Sequence, residues 1–252
     1  MPKLSVIIIT HNEISNIADC LDSVSFADEI IVVDNRSTDG TIEFCRQKGA
    51  KITVTSDWPG FGPQKNRALQ LAQGPWILSI DADERVTPEL TAEIQAILHH
   101  QDVPRHDRLN GYKIPRLSNY CGRWMKHSGW HPDYVLRLFL KDQAKFSDDL
   151  IHERILLQGN SAKLSHPLLH YSFPNLESVL NKINRYSTDT AQMRFQKGQK
   201  SSLTKAIFKG LWAFFKTYFI QRGFLDGREG FILAVSNAEG TYYRYLKLMY
   251  KN

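Results

Sequence analysis

The sequence contains few cysteines, and this scarcity excludes two ways of stabilising a fold. Its 252 residues include three cysteines, Cys20, Cys45 and Cys121, and no two of them form a C-x-x-C pair. An odd number of scattered cysteines argues against a disulfide framework and against a zinc site. We therefore expect the protein to work in a reducing compartment.

Long apolar runs and a secretory leader are also missing. No uninterrupted apolar run approaches the roughly 20 residues that a membrane-spanning helix requires. The stretch Met1–Leu4 leads directly into an apolar strand pattern and shows no signal-peptide pattern. On these grounds we expect a cytoplasmic protein.

Two phosphate-binding loops are absent as well. No G-x-G-x-x-G follows the first strand pattern, and no G-x-x-x-x-G-K-[ST] occurs anywhere. A dinucleotide-dependent dehydrogenase and a P-loop enzyme are therefore both disfavoured. What the sequence does have is a net charge of +6 and a pI near 9.1. That charge permits an anionic partner, whether nucleic acid, nucleotide or anionic lipid.

The first hundred residues alternate between strand and helix patterns. Apolar runs without alternation, separated by helical spacing, indicate parallel strands covered on both faces. We therefore predict an α/β fold with a doubly wound, mostly parallel sheet in residues 1–174, whose halves are 1–100 and 101–174. Residues 175–252 are predicted to form a helical C-terminal lobe. The strands predicted in the first half are Leu4–Ile9, Glu29–Val33, Lys51–Thr55 and Trp76–Ile80, and the helices are Ser15–Val24, Gly40–Lys48, Pro63–Gln73 and Pro88–His100.

Polar residues follow three of these strands, at 10–13, 34–40 and 81–84. Because ligands of such sheets bind beyond the carboxyl ends of the strands, we expect the three clusters to converge on one edge. Asp81 and Asp83 either form an ordinary polar loop or hold a divalent metal, since Mg²⁺ is commonly bound by one or two carboxylates plus substrate phosphates. We favour the metal, because it removes the mutual repulsion of the carboxylates.

Four further residues each have two interpretations. Asp34 either accepts hydrogen bonds from a ribose or base, or shapes a turn, whereas for Asp39 we favour helix capping. Lys65 and Arg67 stand at the opening of a helix, whose N-terminal amides also favour anions. They either steady a diphosphate or are solvated charges on a surface helix.

Four stretches, taken in order, resemble the successive motifs of family 2 glycosyltransferases, which have the GT-A fold. They are T-H-N-E (10–13), V-D-N-R-S-T-D-G-T (33–41), K-N-R-A (65–68) and D-A-D-E (81–84). The stretches H-E-R (152–154) and G-F-L-D-G (223–227) extend the resemblance, less specifically, toward the bacterial β-glucosyltransferases that build the lipopolysaccharide core.

The resemblance implies an inverting transfer from a nucleotide sugar, assisted by Mg²⁺ or Mn²⁺. Asp34 would contact the uridine, while Asp83 and Asp81 would meet the metal. Residues 1–100 would bind the nucleotide sugar and residues 101–174 the acceptor. The residues expected at the nucleotide sugar are Thr10, Asn12, Glu13, Asp34, Lys65, Arg67, Asp81 and Ala82.

Two departures from the family pattern narrow these expectations. Asn35 stands where many members carry a second aspartate, so that one acidic contact is missing. The Q-x-x-R-W of the processive polysaccharide synthases is absent. This absence favours an enzyme that adds a single sugar.

A direct displacement also requires a base that takes the proton of the acceptor hydroxyl. Glu153 fits the family pattern and is our predicted base. The alternatives are that Glu153 forms a structural ion pair with Arg154 or another basic residue, and that Asp148 or Asp149 is the base. His170 either ligates metal or phosphate, or is an ordinary histidine of the core.

Residues 203–222 combine apolar side chains at helical spacing with Lys205, Lys209, Lys216 and Arg222. A basic amphipathic helix rich in Trp and Phe is typical of a segment that lies in a membrane interface. The alternative is a helix that packs on the catalytic domain with solvated lysines. We favour peripheral membrane contact for an enzyme whose acceptor is lipid-anchored.

We therefore predict that one hexose, glucose from UDP-glucose, is transferred to an inner-core heptose of lipopolysaccharide at the cytoplasmic face of the inner membrane. Another glycan or a polyprenyl phosphate are the alternative acceptors. A haloacid-dehalogenase-like phosphatase also has a D-x-D motif, but after its first strand, where this chain has Thr10–Asn12. A nucleic-acid-binding module is disfavoured because carboxylates at the predicted binding edge repel phosphates.

Overall fold

The computed structural model describes residues 3–99, 109–148 and 153–251. The chain divides into two compact units. The sheet unit comprises Met1–Arg116 and Asp133–His170, and the helical unit comprises Leu117–Pro132 and Tyr171–Asn252. The segment Leu117–Pro132 therefore belongs with the C-terminal helices, although sequence patterns alone assign it to the α/β domain.

The described residues form strands and helices in alternation over the first hundred positions, then mainly strands, then helices. The strands are β1 (Leu4–Thr10), β2 (Glu29–Asp34), β3 (Lys51–Val54), β4 (Trp76–Ser79), β5 (Glu84–Val86), β6 (Gly111–Tyr120), β7 (Arg123–Trp124), β8 (Asp133–Leu140), β9 (Ala144–Phe146), β10 (Ile155–Leu157), β11 (Ser161–Lys163) and β12 (Leu168–Phe173). The helices are α1 (Ile14–Ser23), α2 (Thr41–Gln47), α3 (Phe61–Leu71), α4 (Pro88–His99), α5 (Leu176–Gln196), α6 (Leu203–Phe215) and α7 (Gly227–Met249).

The main sheet has the strand order β3-β2-β1-β4-β8-β6-β12-β5. Strands β3, β2, β1 and β4 are parallel, and the register places Thr10 of β1 beside Asp34 of β2. From β4 onward the sheet changes character, because β8 pairs antiparallel with both β4 and β6. The α/β fold class predicted from the sequence is confirmed.

The apolar runs form strands because both faces of the sheet are covered. Along β1, Val6 and Ile8 pack in one hydrophobic layer, and Ile7 packs in the other. Helix α1 buries Ile17 and Leu21, four positions apart, against the first layer. Continuous apolarity in strands and helical spacing between them are the patterns that such a sandwich of helices around a sheet requires.

Sequence patterns missed the short strand β5, because its three residues include the charged pair Glu84–Arg85. All three residues of β5 are nevertheless buried, and β5 pairs antiparallel with β12. In that register His170 lies opposite Glu84. This pairing brings a late segment of the chain to the acidic cluster at 81–84.

The helical unit has its own core, in which Tyr120 and Met125 pack with Val179 of α5 and Leu233 of α7. Helix α6 ends in a single π-helical turn, Lys216–Ile220. Its Gly210 lies against α7, where an added Cβ would come within 3.2 Å of the Cβ of Tyr242. Among the helices of the described residues, none is long and apolar enough to cross a membrane.

A buried carboxylate at the start of β2, that of Glu29, connects β2 with β1 and β3. Glu29 accepts hydrogen bonds from the Ser5 hydroxyl and from the amides of Gln73 and Gly74, just before β4, and forms an ion pair with Lys51. Burial alone would raise the pKa of Glu29, but the hydrogen bonds from Lys51, Ser5 and Gln73 outweigh it and lower the pKa to about 2. The ionised form is therefore the one that the fold stabilises.

Replacing this carboxylate, by Glu29→Gln, should lower the free energy of unfolding at neutral pH by about 2–3 kcal/mol. Because the folded-state pKa lies below the ordinary value, the contribution of Glu29 is complete above about pH 4.5 and is lost as the pH falls toward 2. The variant should therefore lose less stability on acidification than the wild type. Urea denaturation at several pH values measures both effects. The exposed Glu43 provides the control, and equal acid sensitivity of Glu29→Gln and Glu43→Gln would contradict the assignment.

Candidate functional site

The carboxyl ends of β1 and β2 are joined by hydrogen bonds. Asp34, which is fully buried, accepts a hydrogen bond from the Thr10 hydroxyl at 2.7 Å. It also accepts from the Ser37 amide at 2.7 Å and from the Ser37 hydroxyl. Two of the polar clusters that the sequence predicts at one edge are thus in direct contact. Asp34 shapes the turn after β2, and its role toward a nucleotide stays a prediction.

Asn12 fixes the loop after β1 in a conformation that few residues adopt. Its φ of 56° lies in the left-handed region, which Asn tolerates better than most side chains. Its amide donates to the Ser37 hydroxyl at 2.8 Å, and its side-chain oxygen accepts from the Thr38 amide at 2.9 Å. The loops that follow β1 and β2 therefore form one hydrogen-bonded surface.

Asp39 and Glu13 have different surroundings on this surface. Asp39 accepts hydrogen bonds from the amides of Ile14 and Thr41, the first residues of α1 and α2, although the N-cap residues of these helices are Glu13 and Gly40. Glu13 accepts a hydrogen bond from Asn16 at 2.9 Å. Burial raises the pKa of Glu13, and the negative charges of Asp83, Asp39 and Asp81 add to the increase. The carboxylates that follow β4 therefore disfavour the ionised form of Glu13.

Asp81, just after β4, lies between two buried cations. Its Oδ1 is 2.8 Å from Nζ of Lys65, and its Oδ2 is 2.6 Å from Nη2 of Arg137. Burial alone would raise the pKa of Asp81, but Arg137 and Lys65 outweigh it and hold the pKa far below its usual range. Both oxygens of Asp81 are therefore engaged by side chains of the chain itself.

Arg137 also contacts a second carboxylate of the cluster. Its Nη2 lies 2.6 Å from Oε1 of the fully buried Glu84, and Nη1 of Arg116 lies 3.7 Å from the same oxygen. The Asp81 amide donates to the other oxygen of Glu84 at 2.9 Å. Burial raises the pKa of Glu84 even though Arg137 opposes it. The buried Glu84 therefore holds both Arg137 and the backbone of Asp81 in position.

Asp83 is oriented differently from Asp81. Its Oδ2 lies 3.3 Å from Nε2 of His170, and about a third of the Asp83 side chain, 31%, is exposed. No group of three or more His, Cys, Asp or Glu side chains suited to a metal ion occurs among the described residues. The Asp83 carboxylate by itself still suits Mg²⁺ or Mn²⁺, because such metals are commonly held by one or two carboxylates together with water and substrate phosphates. The donor set at Asp83 therefore suits a metal diphosphate better than a metal held by protein alone.

Glu153 lies on the far side of Lys65 from Asp81. Its Oε1 accepts a hydrogen bond from Nζ of Lys65 at 2.9 Å, and its side chain is 22% exposed. The nearby Gly62 permits the close approach of Ser147, because a Cβ at position 62 would overlap the carbonyl oxygen of Ser147. The structure thus joins Glu153 to the acidic cluster through one buried lysine.

The other predicted site residues are distributed as follows. Arg67 is paired with the exposed Asp57, at 2.7 Å and 3.0 Å, whereas Lys65 is buried between Asp81 and Glu153. Ala82 is buried, and its carbonyl accepts a hydrogen bond from Arg85. Asp148 is exposed at the described end of its segment, and Asp149 lies outside the described residues.

Sequence reasoning missed Arg137 and Arg116, which lie on β8 and β6. A signal was available for Arg137, since a charged residue inside the apolar run 134–140 is expensive to bury without a partner. Its partner could not be read from the sequence, because Asp81 is 56 positions away.

Comparisons with known proteins identify the class to which this arrangement belongs. A sequence model of the family described as "Glycosyl transferase family 2" matches residues 5–143. This range contains the carboxyl ends of β1, β2 and β4, which carry the polar clusters. The chain belongs to glycosyltransferase family 2, and the resemblance seen in its motifs is confirmed. The phosphatase and nucleic-acid-binding alternatives do not agree with this membership.

Individual relatives refine the comparison. An uncharacterised glycosyltransferase of Rickettsia typhi is 34% identical, over 98% of this chain and 87% of its own length. The lipopolysaccharide core biosynthesis glycosyltransferase LpsC of Rhizobium meliloti is 30% identical, over 94% and 89%.

Solved structures support the fold. Residues 1–349 of TarS from Staphylococcus aureus, in complex with UDP-GlcNAc, match with a TM-score of 0.50 at 16% identity, over 99% of this chain and 91% of that one. The mannosyltransferase PcManGT of Pyrobaculum calidifontis, in complex with GDP-Man and Mn²⁺, also gives 0.50 at 16% identity, over 95% and 74%. The GT-A fold expected from the motifs is confirmed.

The ion pairs around Arg137 make a prediction about stability. Arg137→Met should destabilise the protein by about 3–5 kcal/mol, because it leaves the fully buried Glu84 and the partly buried Asp81 without that cation. Arg67→Met removes an equally well-formed pair from the surface and should cost about 1 kcal/mol or less. Urea denaturation of the two variants measures the difference. Similar losses of unfolding free energy in the two variants would contradict the prediction that the buried ion pairs of Arg137 stabilise the protein more than a surface pair does.

Proposed function

We propose that the protein transfers a single glucose from UDP-glucose, with inversion, to a heptose of the lipopolysaccharide inner core. The observation that carries this proposal is the gathering of polar groups at the carboxyl ends of β1, β2 and β4. Asp34 contacts Thr10 at the ends of β2 and β1, Asp83 lies beside His170 after β4, and Glu153 pairs with Lys65, which also pairs with Asp81. These are the places where a nucleoside, a diphosphate and an acceptor hydroxyl would follow one another.

At the nucleotide end we assign Thr10, Asn12, Glu13 and Asp34 to the uridine. The buried Asp34 accepts hydrogen bonds from Thr10 and Ser37, which hold the ends of β1 and β2 together, so a ligand would meet a preformed surface. A TarS structure contains UDP-GlcNAc, and this supports a nucleotide sugar as the donor here. The choice of glucose follows from the family resemblance described above.

For the diphosphate we assign Asp83 and His170 as the side chains that hold Mg²⁺ or Mn²⁺. A divalent cation at this place supplies positive charge that stabilises the departing diphosphate. Asp81 has both oxygens paired with Lys65 and Arg137, so its proposed role is to orient this edge and to face the sugar or ribose. PcManGT, whose structure contains Mn²⁺, supports the use of a divalent metal.

Glu153 is the proposed base. Lys65 donates to its Oε1, and no described residue donates to its Oε2. Oε2 can therefore take the proton of the acceptor hydroxyl, as the hydroxyl oxygen bonds to the anomeric carbon and the bond to the diphosphate breaks. Lys65 fixes the orientation of Glu153 relative to Asp81, which suits a reaction that depends on alignment.

The acceptor assignment rests on LpsC, a lipopolysaccharide core glycosyltransferase with which this chain shares 30% identity. We propose a lipid-anchored acceptor and action at the cytoplasmic face of the inner membrane. Another glycan or a polyprenyl phosphate remains the alternative acceptor. A screen of UDP-sugars for slow hydrolysis without acceptor identifies the sugar independently of that choice.

Calorimetric titration with UDP tests the donor site. Binding should be strengthened by Mn²⁺, and Asp83→Ala should lose about 10- to 100-fold in affinity in the presence of the metal. Asp142→Ala, on the exposed turn after β8, serves as the control and should bind as the wild type does. Binding of UDP that is independent of metal in the wild type, or unchanged in Asp83→Ala, would remove the metal assignment.

Glucosyl transfer by Glu153→Gln tests the base. This variant should bind UDP as the wild type does but transfer about 10²- to 10⁴-fold more slowly, because the proton acceptor is removed. Asp148→Asn is the matched control, since Asp148 is the alternative base and is exposed. A thermal melt of each variant excludes a general loss of structure after the Lys65 pair is broken. Normal transfer by Glu153→Gln, or loss of transfer in Asp148→Asn alone, would eliminate Glu153.

A further inference from the structure

Helix α6 buries its small residues and exposes its large apolar ones, which is the reverse of an ordinary surface helix. Its buried residues are the small ones, Ala206 and Gly210, followed by Thr217 in the π-helical turn. Its large apolar side chains point outward, with Phe208 68% exposed, Leu211 64% and Trp212 53%. A helix in water normally buries its large apolar residues, so this arrangement indicates that something other than water covers the outer face.

The outward side chains form one continuous surface. The Trp212 ring stacks on Phe215 with a centroid distance of 5.9 Å, and Phe215 contacts Phe219 at 5.2 Å. We call the set of six exposed side chains in this region the α6 surface: Phe208, Leu211, Trp212, Phe215, Phe219 and Ile220. A patch of adjoining large apolar residues differs from the scattered ones that any protein exposes.

The charge around the α6 surface has one sign. Residues 190–225 contain seven basic residues and no aspartate or glutamate. Lys205, Lys209 and Lys216 belong to α6 and its π-helical turn, and all three are exposed. This stretch therefore carries more positive charge than the net +6 of the entire chain.

The combination favours one occupant over the others. In a symmetric dimer built on this surface the same cations would face each other, with no carboxylate in residues 190–225 to pair with them. An anionic bilayer accepts both features, because the aromatic side chains enter the interface between headgroups and acyl chains while the lysines meet phosphate groups. No described helix can span a bilayer, so the contact would be peripheral.

We propose that the α6 surface docks the protein on an anionic lipid bilayer, with Phe208, Leu211 and Trp212 inserted and with Lys205 and Lys209 at the headgroups. The inference rests on the proposed function in one respect: docking would bring the enzyme to a lipid-anchored acceptor. The apolar exposure and the charge of α6 are independent of the donor site.

Co-sedimentation of the full chain with lipid vesicles tests the proposal. Vesicles of phosphatidylcholine alone are compared with an equimolar mixture of phosphatidylcholine and phosphatidylglycerol, without any nucleotide sugar. The wild type should partition onto the anionic vesicles and be released by salt. The pair Leu211→Ser and Trp212→Ser should reduce partitioning at least about tenfold, because less apolar area enters the interface.

The chain offers matched controls for both features. Leu176 and Leu180 are 50% and 43% exposed on α5, and their replacement by Ser should change partitioning by no more than about twofold. Lys205→Gln with Lys209→Gln should weaken binding to anionic vesicles about 25-fold, since each lysine near such a surface contributes about fivefold. Lys113→Gln with Lys145→Gln removes the same charge from exposed strand positions and should have little effect.

Three results would overturn the proposal. The first is equal binding of the wild type to neutral and anionic vesicles, and the second is unchanged binding of the Leu211 and Trp212 variant. The third is a wild-type dimer in the absence of lipid that this variant converts to monomer, which would make a second copy the occupant. The same variants are also titrated with UDP in the absence of vesicles. Because this titration reports on the donor site alone, it distinguishes a failure of the proposed donor site from a failure of membrane docking.

Discussion

The candidate site depends on the pairing of Asp81 with two buried cations. Lys65 and Arg137 each lie within 2.8 Å of one of its oxygens, and through them Asp81 is joined to Glu153 and Glu84. A carboxylate cluster of this density would be unstable inside a protein without compensating charge. Since the two cations come from α3 and β8, the acidic edge exists only when the sheet is assembled.

This pairing gives the aspartates at 81 and 83 different roles. The two side chains are about equally exposed, 33% and 31%, but both oxygens of Asp81 are paired with Lys65 and Arg137, whereas Asp83 lies beside His170. Under the proposed function this division would suit a metal diphosphate, because one carboxylate would stay fixed while the other exchanged ligands. Lys65 is buried between Asp81 and Glu153, and its contact with a diphosphate stays a prediction.

Much of the fold could be predicted from the sequence, because its signals are local. The apolar runs at 4–9 and 29–33 predict parallel strands, and polar residues directly after them predict a shared edge, which the Thr10–Asp34 hydrogen bond realises. Strand β5 escaped prediction because it is short and charged. Arg137 escaped as a site residue because its partner is 56 positions away, and Lys65 lies 88 positions from Glu153.

The sequence by itself determined the α/β class, the family motifs and the basic, aromatic character of residues 203–222, since composition and spacing carry that information. Only the tertiary structure decided which basic side chain faces each carboxylate, because strand pairing between distant segments places Arg137 and His170. It also decided which face of α6 is buried. Both faces of this helix contain apolar residues, and the close approach of Gly210 to α7 is what turns the large ones outward.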